Sequence, residues 1–318
     1  MRSCIVVGVC MASRNFGLGS RDMVKAGLIA LDKRQDAKGI SYGTEERYKV
    51  DWKAFCAWAR EQGIKKMEGV GRDDVIRYGK EIAQRVQAEE LKPATAQMKV
   101  SVVNCVLKIA SGGQWRSVSP TKECDIQERV RYREDTPAAL ERQTYDERLE
   151  AVKSAGYSDR AIAICELARE LGLRSKEASL LDAKAALKQA QATGRITVDT
   201  GNKGGASRTL SVSASQVEVL ARAAQAQGNA RAVMPPDHNW KTWQQAELRR
   251  VREAMGGLRE LRTSYACERY EQEAGHAAPC TGQSIGDKAL DREVRLQIAK
   301  ELGHGRIDVV AEYVGRRG

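Results

Sequence analysis

The chain of 318 residues carries 53 lysines and arginines against 42 aspartates and glutamates, a formal charge of +11 with a pI of about 9.3. That length suits two domains, each able to bury its own core, and 5% aromatics with six prolines in a background of Ala, Leu, Arg, Glu, Gln and Lys predicts a mainly α fold. The eight cysteines form no CxxC pair, which excludes a zinc-ribbon or disulfide framework, and no metal site or cofactor is expected. The apolar opening CIVVGVC has neither a cleavage-site pattern nor spanning length, so the reading is a cytoplasmic, reduced protein with no membrane association. The positive surplus points to a polyanionic partner, most simply nucleic acid, although charge alone does not separate that from a basic solvated surface.

Residues 1–10, which end just before Met11, read as an upstream start extension, and residues 1–40 as an N-terminal extension that is partly flexible. From Thr44 the spacing of Tyr48, Trp52, Phe55 and Ala59 predicts a helix that Gly63 stops. A second helix begins near Arg72 with Val75, Tyr78, Ile82 and Val86 on one face, and a third runs from Pro93 to Ser111, with proline at its start and Gly112-Gly113 after its end. Together they predict a helical DNA-binding bundle over residues 41–116, with Lys49, Lys53, Lys65, Lys66, Lys92 and Lys99 on its polar positions. Residues 1–130 hold 23 basic against 16 acidic side chains, most of the chain's surplus. The polar stretch SVSPTKECDIQERVRYREDTP has proline near both ends and no helical stripe, so residues 117–136 read as a linker.

A second domain is expected over residues 137–318. Thr144 and Glu147 have capping-box spacing at the head of a helix that Gly156 ends, and Ser158 opens the next, AIAICELARELGLRSKEASLL. There Gly172 stops the helix, and Arg174 stands in a turn just before Ser175 caps a short new one. An arginine at a helix start can face an anion that the helix N-terminus also favours, or simply pair with Glu177 on the surface. Arg195–Asp199 and Arg208–Val212 alternate around the loop TGNKGGAS and predict the single β-hairpin, with Lys203 at its tip. GGLRELRTSYACERY then places Arg259 and Arg262 three apart at a helix start, and ELGHGRIDVVAEYV puts His304 nine residues before Tyr313.

The segments ARELGLRSKEASLL, TGNKGGASRTL, LRELRTSYA and ELGHGRIDVVAEYV fall in the order and roughly at the separations of the catalytic motifs of tyrosine recombinases, the phage-integrase family, which the chain resembles over nearly its whole length. The resemblance implies a SAM-like core-binding domain at 41–116 and a mixed α/β catalytic domain at 137–318. It implies that Arg174 and Arg262 are the two family arginines, Lys203 the hairpin lysine, His304 the histidine of the LGH turn, Tyr313 the nucleophile and Glu177 the supporting acid. Arg259 stands where the family usually carries histidine. The implied partners are double-stranded DNA and further copies of the chain, a tetramer on DNA.

Such a set suits phosphodiester chemistry. Two arginines stay protonated and donate charge-assisted hydrogen bonds to the non-bridging oxygens as negative charge builds in the transition state. A lysine can protonate the leaving 5′ oxygen, and a phosphotyrosine keeps the broken bond's energy for rejoining, without metal or ATP. The expectation is therefore a site-specific recombinase or integrase of a phage or mobile element acting through a 3′-phosphotyrosine. Arginine at position 259 cannot accept a proton as neutral imidazole does. This keeps open a catalytically weakened DNA-binding relative, beside a type IB topoisomerase-like relaxase with the same chemistry and no site choice.

Overall fold

The structure, a computed structural model, describes residues 14–37, 39–129, 139–202, 205–282 and 286–316. The chain forms two compact units, residues 1–130 and 131–318. Among the described residues no helix is long and apolar enough to cross a membrane.

The first unit is wholly helical. Its helices are α1 (Met23–Asp36), α2 (Tyr42–Glu61), α3 (Arg72–Gln87) and α4 (Pro93–Ala110). The last three match the periodicities of the sequence within two residues at each end. Helix α1 was not anticipated, and residues 23–36 are not a loose extension: Met23, Ala26, Ala30 and Leu31 are buried in the same core as Trp52, Phe55 and Tyr78. Between Met23 and Leu31 its buried face is Ala26, Gly27 and Ala30, so it carries a weak periodic signal. Gly27 is required by closeness alone, because a Cβ there would stand 2.0 Å from Trp52 Nε1. The segment predicted as a linker also differs in its first half, since Val118, Cys124 and Ile126 are buried against the same bundle. A buried Asn104 holds it there by donating to the Val118 carbonyl and accepting from the Val118 and Trp115 N–H groups. Residues 130–138 lie outside the described residues.

The second unit continues with α5 (Arg142–Ser154), α6 (Asp159–Glu170), α7 (Ser175–Leu180) and α8 (Ala183–Thr193), then a hairpin of β1 (Arg195–Val198) and β2 (Arg208–Ser211). The two strands pair antiparallel, with Ile196 opposite Leu210 and Val198 opposite Arg208. Five further helices follow: α9 (Ala214–Gln227), α10 (Trp240–Gln245), α11 (Glu247–Ala254), α12 (Leu258–Ala274) and α13 (Lys288–Glu301), and a short last one, α14 (Ala311–Val314). The expected capping box at Thr144 is not formed. Helix α5 starts two residues earlier, where Arg142 pairs with Glu170 and Glu268, so tertiary ion pairs override the local signal. Ser158 does cap α6, accepting from the Ala161 N–H.

One apolar core joins α5 to α11 with the hairpin, and a smaller one joins α12, α13 and α14. Helix α12 lines both. Fully buried Arg169 of α6 makes a bidentate pair with Glu268 of α12. Tyr265 and Arg269 of α12 donate to the carboxylate of Glu301 at the end of α13. These ties hold three separate stretches of chain at one end of the unit.

Candidate active site

Five stretches converge there: the α6–α7 turn, the hairpin, the start of α12, the turn after α13, and α14. Gly172 makes the first turn possible. Its φ is +61°, and a Cβ would meet the Tyr265 ring at 2.4 Å, so only glycine lets the chain turn this closely over α12. Arg174 then occupies the N-cap position of α7 rather than preceding a Ser175 cap, because Glu177 reaches back to accept the Arg174 N–H at 2.9 Å. The same carboxylate accepts from the Arg174 guanidinium at 2.6 Å.

Glu177 is the centre of the site. It is fully buried, and beyond Arg174 it accepts two hydrogen bonds from Arg208, at 3.1 and 2.7 Å, and lies 3.7 Å from Arg262. Burial pushes its carboxyl upward, but Arg208 and then Arg174 outweigh this and hold it down at about 2. Arg208 was not singled out from sequence. The signal was present in the strand alternation, which sets Arg208 opposite buried Val198 with a side chain only 7% exposed. It also donates to Asn202 Oδ1 and to the Glu301 carbonyl, linking hairpin, α7 and α13.

Arg262 is 2% exposed and donates to the carbonyls of Gly172 and Leu302, so it is oriented by the backbone turns on either side of it. Burial is the main cause that pulls its guanidinium down to about 10, which leaves it charged at neutral pH. His304 is placed by a Schellman turn that ends α13: the Gly303 N–H donates to Lys300 and the His304 N–H to Ala299, with Gly303 at φ +64°. Its Nε2 lies 3.4 Å from Arg262. Burial, then the charges of Arg262, Arg174 and Arg208, push the imidazole down to about 3, so it is neutral in the folded protein at neutral pH.

Tyr313 is 7% exposed and packs within the smaller core. Its ring centroid lies 5.5 Å from that of His304, with the Arg262 and Arg259 guanidinium carbons 5.6 and 6.0 Å away. Arg259 is itself paired with Glu312 at 2.7 Å, so a cation and a carboxylate bracket the tyrosine on the solvent side. Lys203 lies outside the described residues. Its described neighbour Gly201 seats the hairpin on α7, since a Cβ there would lie 2.8 Å from the Lys176 carbonyl oxygen. Thus Arg174, Glu177, Arg259, Arg262, His304 and Tyr313 are brought together, with Arg208 added. No group of three or more metal-ligating side chains occurs among the described residues.

In the first unit the six lysines divide. Lys49 bridges Glu45 at 2.6 Å and Asp32 at 2.9 Å, and Lys99 pairs with buried Asp51 at 2.8 Å. Those two are committed to the fold. Lys53, Lys65, Lys66 and Lys92 are exposed.

The carboxyl of Glu177 is lower in the folded than in the unfolded chain, so its stabilisation is full above about 4.5 and is lost as pH falls toward about 2. Glu177→Gln should therefore cost on the order of 3 kcal/mol at pH 7, with the difference from wild type shrinking across that acid window. Urea unfolding at a series of pH values measures it, and a difference that stays constant from pH 5 to pH 2 would contradict the pairing.

A family model described as Integrase matches residues 131–268. A search of curated protein sequences gives no match. Among solved structures, the chain is similar to a lambda integrase dimer bound to a COC′ core site at 18% identity, over 92% of this chain and 96% of that one, with a TM-score of 0.58. It is also similar to XerH site-specific recombinase bound to a palindromic difH substrate (14%, 90% and 80%, 0.59) and to the Tn1549 transposon integrase in complex with a circular intermediate DNA (11%, 93% and 96%, 0.58). Residues 131–268 therefore match the integrase family model, and the chain shares its fold with these solved integrase and recombinase structures.

Proposed function

We propose that the protein is a site-specific recombinase that cleaves and rejoins double-stranded DNA through a 3′-phosphotyrosine at Tyr313, and that it serves the integration of a phage or other mobile element. The observation that carries this reading is the packing of Tyr313 against Arg262 and His304, with Arg174 and Arg208 gathered by one buried carboxylate. A phosphate entering beside Arg174 and Arg262 would meet guanidinium groups already oriented, so little reorganisation is left for the transition state. His304, neutral at working pH, can donate from one ring nitrogen and accept at the other, which suits it to take the tyrosine proton or to hydrogen-bond the phosphate.

Arg259 adds charge at the place where the family carries histidine, and it must exchange Glu312 for phosphate to contribute. Lys203 is the general acid in this reading. DNA-bound dimers and a tetramer on a Holliday junction occur among the structures with this fold, which supports DNA and further copies of the chain as partners. The work would be done in the cytoplasm, without metal or cofactor.

Tyr313→Phe should abolish covalent attachment to nicked or suicide DNA substrates while leaving DNA binding within a few-fold of wild type. An adduct that survives in that variant would show that another residue is the nucleophile.

The role of Lys203 separates from that of the arginines by leaving-group chemistry. On a 5′-bridging phosphorothiolate, where thiolate leaves without a proton, Lys203→Ala should recover most of its cleavage and Arg174→Ala should not. A Lys203→Ala variant equally inactive on both substrates would remove the lysine from the acid role.

A further inference from the structure

Two thiols beside Tyr313 have no part in this chemistry. Cys267 lies on α12, five residues after Arg262, and Cys280 lies in the 3-10 turn Pro279–Thr281. Their Sγ atoms are 3.6 Å apart. Cys267 is buried at 5% exposure, whereas Cys280 is partly exposed, so the pair has an inner and an outer thiol.

Both members touch the chain around the nucleophile. The Cys267 S–H donates to the backbone carbonyl of Tyr313 at 3.5 Å. Gly315 sits on the Cys280 backbone so closely that a Cβ at Gly315 would stand 2.6 Å from the Cys280 nitrogen. Helix α14 is thus held from beneath by one cysteine and at its exit by the other.

The outer thiol is also the reactive one. The one S–H of Cys267 is shared between the Tyr313 carbonyl and the Cys280 sulfur 3.6 Å away, and this contact, outweighing burial, holds the Cys280 thiol below its ordinary range. Burial pushes Cys56 and Cys165 up to about 12 and Cys124 to about 11.

We propose that Cys267 and Cys280 form a redox-modification site, closed to a disulfide by a low-molecular-weight disulfide of the glutathione type, and that closure slows strand cleavage by displacing Tyr313. The second half rests on Tyr313 as nucleophile; the first does not.

The Cys280 thiolate attacks one sulfur of the small disulfide, forming a mixed disulfide and expelling one thiolate. Cys267 gives its proton to that thiolate or to water, and its sulfur attacks Cys280 Sγ. The internal S–S bond forms, the mixed disulfide breaks, and a second thiolate leaves. The protein loses two electrons and two protons, and one small disulfide becomes two thiols.

Bonding draws the sulfurs together by about 1.5 Å, to a separation near 2.05 Å. It also removes the only S–H that Cys267 has for the Tyr313 carbonyl. The turn and α12 cannot close without shifting the segment wedged on both, and a displacement of about 1 Å at a reacting group costs up to a hundredfold in rate.

The test treats the full-length chain with oxidised glutathione and reads intact mass, the thiol-mapped peptides and, separately, the rate of covalent DNA attachment. The expected result is loss of two hydrogens, a peptide joining Cys267 to Cys280, attachment slowed about tenfold or more, and recovery with dithiothreitol. Cys280→Ser should prevent both the link and the slowing, and Cys267→Ser should stop at a glutathione adduct on Cys280. Absence of the joined peptide in folded protein would overturn the site. A joined peptide with unchanged attachment rate, or with faster attachment, would overturn the switch. Attachment that is absent before any oxidation would count against the nucleophile assignment, while the mass readout would still decide the thiol pair.

Discussion

The second unit is organised around one buried carboxylate. Glu177 has no exposed surface, yet it is ionised because Arg174 and Arg208 hydrogen-bond to it and Arg262 stands 3.7 Å away. Removing an ion from water costs several kcal/mol, and only closely placed partners with good hydrogen bonds offset this. The carboxylate therefore requires that the start of α7, the second hairpin strand and the start of α12 be present together. Three guanidinium groups against one carboxylate, with a neutral imidazole beside them, leave the pocket a net positive charge of two. Such a surplus favours an anion in the pocket, which connects the fold's central interaction to the phosphate of the proposed substrate.

The same economy of contacts sets the state of Tyr313. Helix α14 is four residues long and has no independent stability. It is held by its neighbours: the ring against His304 and Arg262, the Glu312 carboxylate on Arg259, the Tyr313 carbonyl on Cys267, and the Gly315 carbonyl on buried Arg295 at 2.8 Å. Tyr313 and Val314 also pack in the smaller apolar core beside Cys267, so a local change at the edge of that core reaches Tyr313 while the larger core stays intact. This gives the Cys267–Cys280 pair its leverage.

Much of the architecture was legible in the sequence because long amphipathic helices have strong periodicity. The three large helices of the first unit were read from Trp52, Phe55, Val75, Ile82 and their neighbours, and the hairpin from its alternation around a glycine-rich loop. Helix α1 escaped because the middle of its buried face is Ala26, Gly27 and Ala30, small residues of weak hydrophobic signal, with Gly27 set by its close approach to Trp52. The site's motif residues were legible as spacings, while their partners were not. Arg208 was read only as the start of a strand, and Lys49 and Lys99 as DNA-facing cations, whereas Glu45, Asp32 and Asp51 stand beside those two lysines. Ion pairs between distant segments leave no periodic trace, so a sequence read by pattern shows which charges exist and not which are already spoken for.

In the proposed recombinase, Glu177 orients the arginines that would stabilise the reacting phosphate, without touching the phosphate itself. This role is tested most directly by single-turnover covalent attachment of Glu177→Gln to a suicide DNA substrate at neutral pH, with DNA affinity measured alongside. The account predicts attachment slowed by about tenfold to a hundredfold, the range expected when oriented donors are misplaced by about an ångström, with affinity changed only a few-fold. An attachment rate equal to wild type in a folded Glu177→Gln protein would contradict it.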